Sequence, residues 1–198
     1  GSVGKLITIG AALNQGTITP TSVFQVPYSL NLPDAGGPIT DFHEHDGEAL
    51  TATGVLAESS NTGTVLIGQT MTDDQRYSMM RAFGFGQETG IELPGESAGL
   101  LRSSDDWQGR DRYVTMFGQA YAITAVQEAS ALATIANGGV RISPHIVKSW
   151  TNTDGTVEVP QGTQPVQVLE ATTASQLLTM MESVVEDDLG TAAASKVP

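Results

Sequence analysis

At 198 residues with 39% hydrophobic side chains, the chain is long enough to enclose one sizeable core, so it reads as globular and not as a disordered tail. Nine basic against 22 acidic residues give a net charge of −13, which repels phosphate backbones and anionic headgroups and disfavours nucleic acid as a partner. There is no cysteine, which removes disulfide scaffolds, thiolate zinc sites and thiol catalysis together.

Residues 2 to 15 are expected to form a helix that begins on Ser2 as its N-cap and stops at Asn14-Gln15-Gly16. Val3, Leu6, Ile7, Ile9, Ala11, Ala12 and Leu13 cover nearly its whole circumference, the pattern of a helix buried on all sides. Gly4 and Gly10 each cost about 1 kcal/mol against Ala in a helix interior, so close contact with a neighbour or ligand is expected there. Between residues 17 and 46, Pro20, Pro27, Pro33, Pro38 and the Gly36-Gly37 pair bar a long helix or a central strand. Leu50 to Ala57 and Thr64 to Gln69 read as short helical segments separated by a break at Ser59-Ser60-Asn61.

Thr72 to Phe83 is predicted helical, with Asp73 and Asp74 complementing its N-terminus and Gly84 ending it. Loop and turn chain then extends to about residue 122. Thr124 to Asn137 is a second periodic helix, with Val126, Ala129, Ala133 and Ala136 on a small-residue stripe suited to a close helix neighbour. Residues 145 to 160 pattern as a hairpin around Asp154-Gly155, with Ile146-Val147 and residues 157 to 159 as its arms. A last helix is expected from about Thr173, with Thr173 and Gln176 as a capping box and Leu177, Met181, Val184 and Val185 at helical spacing. The acidic run Glu186-Asp187-Asp188 reads as a solvated surface.

Two short motifs can carry chemistry. Ser2-Val3-Gly4-Lys5 puts a hydroxyl in the first turn of a buried helix and an amine three residues on, on the same face. A serine hydroxyl needs a neighbour to take its proton, and a lysine does so only when desolvation or nearby positive charge lowers its pKa. A Ser and a Lys three apart arise by chance about once in a chain of this length, so the weight rests on what accompanies them. Ser59-Ser60-Asn61 supplies a second hydroxyl and a carboxamide at the break between two helical segments. A serine there can pass a proton to a leaving amine, and an asparagine can hold a substrate amide. Ser-x-Asn recurs at Ser29-Leu30-Asn31; Ser59 is preferred because apolar helical segments flank it. The Lys-Thr-Gly or Lys-Ser-Gly motif that accompanies such a pair is absent, since no lysine is followed by either sequence.

Two further groups have alternative readings. His43 and His45 flank Glu44 between Asp41 and Asp46, and on an extended segment both imidazoles can face one metal. With no other ligand set nearby in sequence, a polar loop packed under the Ser59 helix is expected instead, with no metal and no cofactor. Tyr121 and Trp107 can line a cleft or belong to the core.

Taken with Phe83-Gly84-Phe85-Gly86, residues 89 to 96 (Thr-Gly-Ile-Glu-Leu-Pro-Gly-Glu), Gly118-Gln119-Ala120 and residues 136 to 140 (Ala-Asn-Gly-Gly-Val), these motifs stand in an order that resembles the septal class B penicillin-binding proteins. The resemblance covers residues 1 to 16, 47 to 69 and 81 to 148. It implies the α/β (α+β) fold shared by penicillin-binding proteins and serine β-lactamases. Residues 1 to 198 would be a partial transpeptidase domain, mainly its helical part, with most of the central sheet and the Lys-Thr-Gly strand supplied by chain outside it.

The resemblance further implies a peptidoglycan D,D-transpeptidase in which Ser2 is the nucleophile, Lys5 its base, Ser59 the proton carrier to the departing D-alanine and Asn61 the residue that binds the donor stem peptide. β-Lactams would trap Ser2 as an ester. Implied partners are peptidoglycan stem peptides, β-lactams, the remainder of the domain and cell-division membrane proteins, at the extracytoplasmic face of the membrane and the division septum, with the membrane anchor outside this chain. The isolated piece is expected neither to fold stably nor to acylate. The rivals are a serine β-lactamase, for which a deacylating Glu-x-x-Leu-Asn pattern is missing, and a non-catalytic β-lactam sensor or scaffold of the same fold.

Overall fold

Helix α1 (Gly4–Asn14) runs through the middle of the molecule. In this computed structural model, which describes residues 1–159, 164–186 and 190–195, every α1 residue from Gly4 to Leu13 is buried. Its all-round apolar sequence makes that placement favourable, at about 25 cal/mol per Å² of apolar surface removed from water. The helix ends as expected, with Gly16 at a left-handed φ of +67°.

Its start differs from expectation. Val3, not Ser2, is the N-cap, and no side chain caps the helix. The first free amides are instead satisfied by tight turns: Gly4 N–H donates to Gly1 O at 2.9 Å and Lys5 N–H to Ser2 O at 3.0 Å. The exposed Ser2 hydroxyl is thereby released from capping.

The proline-rich stretch is more ordered than its composition suggested. It forms β1 (Val23–Val26), β2 (Ser29–Leu30) and β3 (Ile39–Thr40), and β4 (Glu48–Thr51) follows. β1 pairs antiparallel with β4, Val23 opposite Thr51, and β2 pairs with β3. Pro20 precedes β1 and Pro27, Pro33 and Pro38 fall between these strands, where no ladder amide is needed, and this spacing concealed them. Leu50 and Thr51 therefore belong to β4. Helix α2 (Ala52–Ala57) starts only after Thr51, whose hydroxyl accepts Gly54 N–H at 3.0 Å. Helix α3 (Asn61–Gly68) begins three residues before the expected Thr64, capped by Ser60 through Gly63 N–H at 2.8 Å.

Helix α4 (Asp73–Ala82) keeps its expected place and carries a capping box between Thr72 and Gln75. The predicted loop region contains the short helix α5 (Asp111–Val114) and tight turns at Ser104–Asp106 and Thr115–Phe117. Helix α6 (Ala125–Ala136) also has a capping box, Thr124 with Gln127, but its small-residue stripe points outward. Ala129, Ala133 and Ala136 are exposed; Gln127, Ala131, Thr134 and Ile135 form the buried face. The glutamine sets that orientation, because its amide donates to the carbonyls of Gln87 at 2.8 Å and Ala98 at 2.9 Å while its oxygen accepts Thr124 N–H at 2.7 Å. Gln127→Leu is expected to lower stability by about 2 kcal/mol or more, since it leaves buried carbonyls without donors. A shift of the urea midpoint in the full-length protein measures this.

Four strands follow: β5 (Val140–Arg141), β6 (Trp150–Thr151), β7 (Val157–Glu158) and β8 (Val166–Gln167), paired β5 with β8 and β6 with β7. The predicted hairpin is present but shorter. Its turn is locally sustained by Asp154 accepting Thr156 N–H at 2.9 Å, while Ile146 is exposed outside the ladder; Pro160 lies outside the described residues. Helix α7 (Ala171–Glu186) starts two residues early, so Thr173 is buried within it and makes no cap. The amide of Glu170, just ahead of the helix, is taken by Asn14 Oδ1 at 2.8 Å, which ties α7 to the end of α1. Leu177 packs onto Gly10, where a Cβ would lie 3.1 Å from its Cδ2. Glu186 is exposed, whereas Asp187 and Asp188 lie outside the described residues.

Among the described residues the strands make four separate two-stranded ladders and the helices hold the core, as expected for the helical part of an α/β domain. No described helix is long and apolar enough to cross a membrane.

Candidate active site

Three segments converge where α1 begins: the turn Gly1 to Gly4, the α2–α3 junction and the loop after Phe117. Lys5 is 1% exposed, yet it carries an amine. Its Nζ donates to Ser59 Oγ at 2.8 Å and to the Ser59 carbonyl. Burial lowers the amine from 10.5 to about 8, and the nearby Asp41 carboxylate pulls in the opposite direction. A lysine so placed loses its proton far more readily than one in water.

Ser59 reaches Lys5 from a strained position. It holds φ +56°, a left-handed conformation that a non-glycine residue adopts only when its surroundings impose it. α2 and α3 supply that constraint: Ser59 N–H donates to Leu56 O at 3.0 Å and Ser60 N–H to Val55 O at 3.0 Å. Asn61 opens α3 and donates Nδ2–H to the Thr40 carbonyl at 2.9 Å, leaving its side-chain oxygen for another donor. In the other Ser-x-Asn, Ser29 and Leu30 sit instead on the β2–β3 ladder, with Asn31 just after it.

Ser2 is exposed in the turn before α1, three residues from Lys5. Among the described residues its hydroxyl makes no hydrogen bond, to Lys5 or to any other group; the Lys5 amine is bonded to Ser59 instead. The turn is shaped from the far side by Gly118 at φ +96°, whose Cα lies so close that an added Cβ would meet Gly1 O at 1.8 Å. Tyr121 stands beside it, stacked near Phe85 at 5.9 Å, with its hydroxyl against Gly4; a Cβ on Gly4 would be 2.3 Å from that oxygen. Burial pushes Tyr121 up to about 12, so it stays protonated. Tyr121 thus borders the site, whereas Trp107 is core, donating to Arg102 O at 3.1 Å beneath the Arg76 guanidinium.

The polar loop carrying Asp41 to Asp46 packs beside the Ser59 junction as expected, and with Glu48 and Glu58 it borders a cleft of about 420 Å³ that no sequence pattern announced. His45 lies 3.3 Å from Asp41 Oδ2 and 3.6 Å from Glu48, while His43 is exposed against Phe42, so the two imidazoles do not share one centre. Among the described residues no group of three His, Asp or Glu side chains is arranged to hold a metal. Among the described residues Glu58 Oε1 is buried without a hydrogen-bond partner, and its carboxyl is pushed up by burial first and then by Glu48. The signal for Asp41 was its position eighteen residues before Ser59, which no local pattern reveals.

Residues 1–198 match the family described as "Penicillin binding protein transpeptidase domain" along their whole length. The chain is 39% identical over 188 residues to penicillin-binding protein PbpB of Mycolicibacterium smegmatis, covering 95% of this chain and 29% of that protein. It is 37% identical to PbpB of Mycobacterium tuberculosis, covering 95% of this chain and 27% of that protein. The crystal structure of penicillin-binding protein 3 from M. tuberculosis with aztreonam superposes with a TM-score of 0.94 at 35% identity, over 100% of this chain and 45% of that one. The chain thus spans less than half the length of each relative. An all-round apolar helix opening on Ser-x-x-Lys, a second serine docked on that lysine and the match in sequence and backbone over its full extent make this chain a member of the penicillin-binding protein transpeptidase domain family, with relatives among the class B proteins that its motifs resemble.

Proposed function

We propose that this chain is the central part of a serine-type peptidoglycan D,D-transpeptidase, with Ser2 as nucleophile, Lys5 as its base, Ser59 as proton carrier and Asn61 as donor-peptide ligand. The reading is carried by the buried Lys5 amine, lowered to about 8 and hydrogen-bonded to Ser59 Oγ at 2.8 Å. Neutral Lys5 takes the Ser2 proton as Oγ attacks the penultimate D-alanine carbonyl of a stem peptide. The C–N bond then breaks, and Ser59 passes the proton it draws from Lys5 to the departing D-alanine amine. A second stem peptide's amine attacks the Ser2 ester, the new amide forms, and Ser2 Oγ regains its proton. Asn61 Oδ1, left open by the bond to Thr40, accepts an amide N–H of the donor peptide.

Aztreonam and ampicillin are bound in crystal structures of the M. tuberculosis relative, which supports β-lactams as ligands that stop at the ester stage. The extracytoplasmic face of the bacterial membrane, at the division septum, is where such a cross-link is made, with cell-division proteins as neighbours and the rest of the transpeptidase domain completing the site. The expected chemistry is release of D-alanine from a D-alanyl-D-alanine donor with transfer to an added amine by the full-length protein. Rapid hydrolysis of the ester instead would identify a β-lactamase. An inert ester with no amide product would identify a sensor.

A further inference from the structure

Asp41 follows β3, and its side chain is 9% exposed. Its Oδ1 accepts Asn61 N–H at 2.5 Å and Thr62 N–H at 3.0 Å. Its Oδ2 accepts the Ser60 hydroxyl at 2.8 Å, and the Thr62 hydroxyl, whose proton is shared with the Pro27 carbonyl at 2.8 Å, lies 2.9 Å away. Gly47 N–H donates to His45 Nδ1 at 3.2 Å, and His45 Nε2 lies within hydrogen-bonding distance of Oδ2 at 3.3 Å. One carboxylate therefore gathers the three residues that follow Ser59, and charge-assisted bonds of this kind are about twice as strong as neutral ones. The preceding residue, Thr40, completes the grip by accepting Asn61 Nδ2–H through its carbonyl at 2.9 Å.

This concentration of bonds has an adjacent object. Ser59 occupies the left-handed φ of +56° from which its hydroxyl meets Lys5, and a strained residue holds such a place only while its neighbours are fixed. We propose that Asp41 is a positioning residue of the acylation site, fixing Ser60, Asn61 and Thr62 so that the Ser59 hydroxyl stays on the Lys5 amine. The inference rests on the reading of Ser2, Lys5 and Ser59 given above. Asp41 also acts as a standing negative charge toward Lys5, favouring the ammonium. The other charged and titratable groups of this cleft are His43, Glu44, His45, Glu48 and Glu58, and Tyr121 lies on the opposite side of the α1 start.

The test is the pH profile of acylation by a fluorescent penicillin in the full-length protein. Asp41→Asn replaces one acceptor oxygen with a donor that faces other donors. It is expected to slow acylation about 100-fold, the scale of a 1 Å misplacement. It should also move the acid limb of the profile to lower pH, because the charge that favoured the Lys5 ammonium is gone. Asp41→Glu keeps the charge at a displaced position and is expected to lose rate with the limb unmoved, which keeps the proposal testable should the Asn variant not accumulate. Wild-type rates in the accumulating variant, or an Asn variant whose limb does not move, would overturn the proposal. A wild-type protein that takes no label would refute the acylation reading and this inference with it, whereas a labelled wild type with an equally fast Asp41→Asn refutes this inference alone.

Discussion

Lys5→Met in the full-length protein is expected to slow acylation of Ser2 by about 100- to 10,000-fold, the range that a positioned general base contributes, while leaving the protein at least as stable at pH 7. The two effects have one origin. The amine is buried with a folded pKa of about 8 against 10.5 in the open, so between these values the unfolded chain binds more protons than the folded one. Stability linked to Lys5 therefore rises with pH from about 8 to 10.5 and is lowest below 8. Keeping the ammonium buried at pH 7 costs about 3 kcal/mol by that shift. Methionine removes this cost but forfeits the bonds to Ser59, so thermal unfolding at pH 7 should show no loss. Lys5→Arg should be as inactive as Lys5→Met, because a guanidinium keeps its proton. In the wild type, acylation should rise as pH passes through 8 and the base becomes neutral. A Lys5→Met protein that acylates at the wild-type rate would show that Lys5 is structural.

Gly118→Ala is the second large effect. This glycine holds φ +96° at the end of the turn Thr115–Phe117, so any side chain is strained there before contacts are considered. Its Cβ would lie 1.8 Å from Gly1 O and 2.6 Å from Gly1 C, both backbone atoms with no rotamer to yield. The Gly1 carbonyl accepts Gly4 N–H at 2.9 Å and so anchors the turn from which Ser2 projects. Moving that turn is expected to lower acylation about 100-fold, with a stability loss of about 1–3 kcal/mol. Gly10→Ala is the comparison at the far end of α1: its Cβ would press on the tip of Leu177 at 3.1 Å, which can shift, and touch Leu169 at an ordinary 3.7 Å, and acylation should stay at the wild-type level. Acylation rates and unfolding midpoints of the two variants, measured together, separate damage at the Ser2 turn from damage to the helix.

The readable parts of this molecule are those whose cause is local. An apolar circumference identifies α1 as a central helix, and Gly16 marks its end. The Thr72 to Phe83 pattern locates α4 because its cap and its stop lie within one segment. The β1–β4 ladder was not legible, since it pairs residues about 25 apart and its strands alternate with prolines that read as irregular chain. The outward stripe of α6 misled for a related reason. Alanines permit a close neighbour but do not demand one, and the buried Gln127 with its three carbonyl acceptors decides the face. Ser2, Lys5, Ser59 and Asn61 came from short motifs and family order. Asp41 entered only as a flank of the His43-Glu44-His45 group, and its bonds to Ser60, Asn61 and Thr62 exist only once β3 lies against the N-terminus of α3.

The most direct measurement is peptide mass spectrometry of the full-length protein after labelling with a fluorescent penicillin. The account predicts one adduct, an ester on Ser2 in the peptide that begins α1, lost in Ser2→Ala and formed slowly in Lys5→Met. An adduct on Ser59 or another residue, or labelling that survives Ser2→Ala, would contradict it.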